Sequence, residues 1–306
     1  MNRSAIFLMS LLLAGPAVAA SDDLEKSFDQ LKQVTAQGDP AQVKAQAAES
    51  CALARQVQKA PKPETNAEGW PKYVALAREV ELYSEYALYS TAVRSSPAEL
   101  IDLFTTLEQQ NPKSKYLDDG YATYFVALRQ TGASAKIQGV AEKAILNFPN
   151  NEDLLLFLAD SALTKKQTDR TAAYSERLIA ALKQHLKPES LSAAEWEKKR
   201  NATLGSGYWM AGMCHAEKQQ YPQADEDLRA AVPLVQSNKA MLAPALFQLS
   251  LANYQIAKST LNRARMLEAA KFADQVAGMK TELAQQAWTN AHLMKQEADK
   301  MVVGRR

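Results

Sequence analysis

The chain has 306 residues, 47% of them hydrophobic, with a formal net charge of +2 and only two cysteines. A balance so close to neutral argues against nucleic acid or another polyanion as the main partner. With so few cysteines, stability must come from a buried apolar core, and a chain of this length has enough residues to build one.

In chain order, the first stretch is "MNRSAIFLMSLLLAGPAVAA". Arg3 precedes an apolar run from Ala5 to Ala14, Gly15-Pro16 breaks it, and Ala17-Val18-Ala19 supplies a small-x-small pattern. This is the layout of an export signal, with removal expected near Ala19 or Ala20. The run is too short to span a bilayer. With no cysteine just behind it, the expected product is a periplasmic or secreted chain, neither lipid-anchored nor inserted in the membrane.

Beyond the signal, Ala, Leu, Gln, Glu and Lys dominate, and apolar residues recur at three and four positions. In residues 73–93 they are Leu76, Val80, Tyr83 and Ala87; in residues 246–258, Leu246, Leu249 and Ala257, with Asn253 as a polar interruption. Breakers at Gly38-Asp39-Pro40, Ser96-Pro97, Asn111-Pro112, Gly132 and Pro149-Asn150-Asn151 separate the segments. The expected fold is all-α, with helices of roughly 12 to 20 residues joined by short turns. Residues 21–60 read as an N-terminal helical hairpin, 61–182 and 204–278 as repeats, 183–203 as an insertion and 279–300 as a final helix.

One segment is written twice. Lys62-Pro63-Glu64 and Lys187-Pro188-Glu189 are each followed by a hydroxyl residue three before a Glu (Thr65/Glu68 and Ser192/Glu195), then by Trp70 and Trp196. A Lys-Pro pair ends one helix and the hydroxyl–Glu spacing fits a capping box that starts the next. In the first copy Pro71 moves the expected start to Pro71 itself. Each copy should yield an unusually long or extra helix pinned by its tryptophan.

Two stretches repeat a helix–turn–helix pattern. Residues 121–151 carry Tyr121, Tyr124, Leu128, Gly132, Ile137, Ala141, Ala144 and Pro149, and Leu155 opens the next unit. Residues 208–235 carry Tyr208, Gly212, Tyr221, Ala224, Leu228 and Ala231. Gly212 and Ala224 are small where two helices would cross. On these residues the chain resembles the tetratricopeptide repeat family over 84–278, in four or five degenerate units. Several units depart from that family's 34-residue length. The resemblance implies an α-solenoid of antiparallel helical hairpins, a superhelix whose concave groove takes a peptide or partner helix. Carried onto this chain, the groove positions include Arg129, Trp209, Met213, Phe247, Leu251 and Tyr254, five of them apolar or aromatic. If the C-terminal helices or the insertion cover that stripe, it is core instead.

Residues that could carry chemistry are sparse. His185, His215 and His292 lie apart, without metal-ligand spacing. Cys214 and His215 are adjacent and diverge by about a hundred degrees on a helix, so they form no nucleophile–base pair. Asp118-Asp119 and Asp225-x-Asp227 are expected near turns or on solvated faces. No catalytic residue, metal or cofactor is assigned. The expected function is a non-catalytic protein-interaction or scaffold module of the cell envelope. The alternatives are a helical envelope enzyme acting on peptidoglycan and a self-assembling structural protein.

Overall fold

The computed structural model describes residues 16–64, 68–185, 187 and 191–303, and among them every regular element is a helix. Most of the export signal and the first capping box, at Thr65, lie outside the described residues. The chain divides into two compact units, Met1–Ile137 and Gln138–Arg306.

The first unit holds α1 (Pro16–Gln37), α2 (Pro40–Lys59), α3 (Trp70–Ala92), α4 (Pro97–Gln110), the single-turn α5 (Lys115–Asp118) and α6 (Tyr121–Gln130). Its boundaries follow local chemistry. Gly38 takes a left-handed φ of +77° that a side chain would resist, and Asp39 then accepts from the N–H groups of Ala41 and Gln42. Pro40 and Pro97 occupy first turns, where their missing N–H has no helical partner to lose. Ser96 and Glu99 form a reciprocal capping box. The first three helices close around Leu24, Phe28, Ala54, Val57, Ala77 and Val80, with Trp70 packed at the rim. The Arg55 Nε donates to Glu81 at 2.7 Å and its Nη2 to the Gln110 carbonyl at 2.6 Å, which ties α2 to α3 and to the end of α4.

At the junction, α7 covers Ile137–Ala144. The second unit continues with α8 (Glu152–Thr164), α9 (Thr168–Gln184), α10 (Ala193–Glu217), α11 (Tyr221–Leu234), α12 (Lys239–Thr260), α13 (Arg263–Ala277) and α14 (Ala284–Val303). Each of these helices packs on the next, giving an α-solenoid of hairpins, α8/α9, α10/α11 and α12/α13, with α14 laid on α13. The α10/α11 crossing is close because Gly212 has no side chain: a Cβ there would lie 2.6 Å from Leu228 Cγ.

The duplicated segment makes a long helix twice. Helix α10 runs 25 residues from a capping box of Ser192 and Glu195, and α3 runs 23 residues with Pro71 in its first turn. Trp196 is buried, with its ring edge-to-face on His185 at 5.4 Å, so it holds the end of α9 against the start of α10. Around it, Lys199 Nζ bonds Glu152 at 3.1 Å and Asp153 at 3.0 Å, while His185 Nδ1 lies 3.0 Å from Glu152.

A recurring turn marks the repeats. Gly132, Lys166, Gln219 and Leu261 all have left-handed φ, between 51° and 74°. Each is followed by a residue whose N–H reaches back five positions: Ala133 to Leu128, Gln167 to Ala162, Gln220 to His215 and Asn262 to Ala257. This is the Schellman closure of a helix, used after α6, α8, α10 and α12. Only Gly132 announces it in the sequence; at the other three positions tertiary packing imposes a backbone that costs an ordinary residue about 1 kcal/mol.

Candidate functional site

The residues expected to line a groove fall in different places. Arg129 is exposed on α6, in the first unit. Trp209 and Met213 on α10 and Phe247, Leu251 and Tyr254 on α12 all belong to the second. Trp209 and Met213 pack on Leu228, Ala245 and Leu249, and the Trp209 indole N–H donates to the Met241 carbonyl at 2.9 Å. Phe247 is 7% exposed and sits with Leu246, Val276 and Ala287. Leu251 and Tyr254 cover the Ala257, Met266, Ala270 and Met294 cluster, and the Tyr254 hydroxyl donates to Glu297 at 3.3 Å. The stripe therefore joins α10, α11, α12, α13 and α14, and all its members except Phe247 keep a half-buried edge.

A different row is open. On α3 and its C-cap, Leu82, Tyr86, Tyr89 and Val93 recur at four, three and four residues and so share one face. Leu82 is 48% exposed, Tyr86 42% and Val93 42%, with Tyr89 half-buried between them. Tyr116 of α5 leans onto the row. Its ring stacks on Tyr89 at 5.5 Å with 25° between planes and lies 5.9 Å from Tyr86. Lys115 Nζ stands 5.0 Å over the Tyr116 ring. Behind this face the rings continue inward, Tyr86 to Tyr83 at 5.6 Å and Tyr83 to Phe28 at 5.4 Å, so the exposed rings rest on a buried aromatic support. Burial pushes the Tyr89 phenol up, and Asp119 adds to the shift, so the hydroxyl stays protonated across physiological pH. Among the described residues, the hydroxyls of Tyr83, Tyr86, Tyr89 and Tyr116 make no hydrogen bond to the protein.

The sequence reading passed over this row because it took Tyr83 as one of the buried positions. The side chains that α3 buries are Ala77, Val80, Ser84, Glu85, Ala87, Leu88, Thr91 and Ala92, several of them polar. Glu85 is tolerated because its carboxylate accepts from Asn111 Nδ2 at 2.7 Å. Hydrophobicity alone ranks Tyr86 and Leu82 above Ser84 and Glu85 as core, and here it misleads.

Ionisable clusters elsewhere are occupied by one another. Asp225 and Asp227, expected near turns or on solvated faces, are drawn inward on opposite sides of α11, about 200° apart: Asp225 turns toward α12 and α13, and Asp227 toward α10. Asp225 is buried and accepts from Asn253 Nδ2 at 2.6 Å, Arg229 Nε at 2.8 Å and Arg265 Nη2 at 2.9 Å. Asn253, the polar interruption in α12, is thus the buried partner of a three-helix node. His215 Nδ1 lies 2.8 Å from Asp227, and its Nε2 lies 3.4 Å from Glu176 of α9. Burial raises the Asp227 pKa, and the bond to His215 opposes that shift. Cys51 and Cys214 are buried free thiols, and burial pushes the Cys214 thiol up to about 11, far from a reactive thiolate. Among the described residues, no group of three His, Cys, Asp or Glu side chains is placed to hold a metal, and no helix is long and apolar enough to cross a membrane.

Neither a scan against protein-family models nor a search of curated proteins finds a match to this chain. Function is therefore argued from the side chains themselves.

Proposed function

We propose that this chain is a non-catalytic, protein-binding module of the bacterial cell envelope, exported by its N-terminal signal and built of tetratricopeptide-like hairpins. The repeat assignment is supported by the recurring Schellman turn, whose Gly132 and Lys166 are 34 positions apart, and by the Gly212/Leu228 contact. The binding assignment rests on one observation, the exposed Leu82–Tyr86–Val93 row with its stacked Tyr116. Rigid rings with little side-chain entropy to lose are typical anchors for a peptide or partner helix. The export signal and the near-neutral charge fit an envelope protein whose partner is another polypeptide.

The test is photocrosslinking in living cells, with a benzophenone side chain at position 86 and, as control, at exposed position 49 on α2. A discrete protein adduct at 86 that is absent at 49, and lost on Leu82→Asp in a chain that still folds, is the expected result. Equal labelling at both positions rejects the face as the binding site. Release of soluble fragments from peptidoglycan by the purified chain would replace the binding reading with the enzyme.

A further inference from the structure

We draw no further inference here: the strongest candidate, the exposed Leu82–Tyr86–Tyr89–Val93 row along α3 and its C-cap, belongs to the site already described, and nothing in the structure shows what covers it.

Discussion

Replacing Gly212 by alanine should destabilise the second unit, whereas the same replacement at Gly139 should stabilise it. The two sites share a helical backbone and differ in what surrounds them. A Cβ at residue 212 would lie 2.6 Å from Leu228 Cγ, 2.8 Å from Leu228 Cδ2 and 3.2 Å from Asp227 Cβ, while at 139 no heavy atom lies within 4 Å. Carbon atoms rest at roughly 3.5–4.0 Å, so α10 and α11 must separate by about 1 Å, or Leu228, which is fully buried, must leave its position. Overpacking of this kind costs about 1–3 kcal/mol. Alanine recovers about 1 kcal/mol of helix propensity at either site. The expectation is a net loss of up to about 2 kcal/mol at 212 and a gain of up to about 1 kcal/mol at 139. Urea unfolding followed by far-UV circular dichroism, with m compared between variants, reads both. Two variants that shift together in the stabilising direction would refute the close α10/α11 crossing, and with it the reason given for a glycine at 212.

Leu261→Gly should raise stability by about 1 kcal/mol, because the side chain is 71% exposed and its φ of 51° is one that glycine adopts freely; an unchanged melting curve would count against a left-handed turn there. Trp196→Ala should cost about 3–5 kcal/mol and speed cleavage by protease between His185 and Ser192, since the buried ring is what joins the end of α9 to α10; limited proteolysis that cuts there no faster than in the unaltered chain would contradict that role. Cys51 and Cys214 should resist a thiol reagent at pH 8 in the native state and react together in denaturant, as expected for buried thiols whose pKa values burial has raised. The Arg229 bond holds the Glu268 carboxyl below its ordinary 4.5, so the stability it contributes is present above that value and lost as pH falls through the lowered one. Glu268→Gln should flatten this acid limb of the melting temperature, and an identical pH profile would place the acid sensitivity elsewhere.

The duplicated Lys-Pro-Glu…Trp segment shows how much local chemistry could be read in advance. Ser192, Glu195 and Pro71 each act on backbone within one turn of themselves, so their effect on α10 and α3 is legible from spacing. The left-handed turns were legible only at Gly132. Lys166, Gln219 and Leu261 have no intrinsic preference for positive φ and adopt it because the flanking helices must pair. Asn253 read as an interruption and is the centre of a node, because its partners Asp225 and Arg229 lie 28 and 24 residues away.

The amino-acid sequence alone determined that the chain is helical, where most helices begin and stop, and that Gly212 marks a crossing. These follow from propensity, capping and residue size, which act over a few residues. Only the tertiary structure decided which face of each helix stays open. It placed Trp209, Phe247 and Tyr254 among α10 to α14, and it left Leu82, Tyr86 and Val93 exposed while Ser84 and Glu85 went inside. An apolar stripe on a helix states only that something must cover it. What covers it depends on helices distant in sequence, and on buried partners such as Asn111 that let a polar face be the inner one.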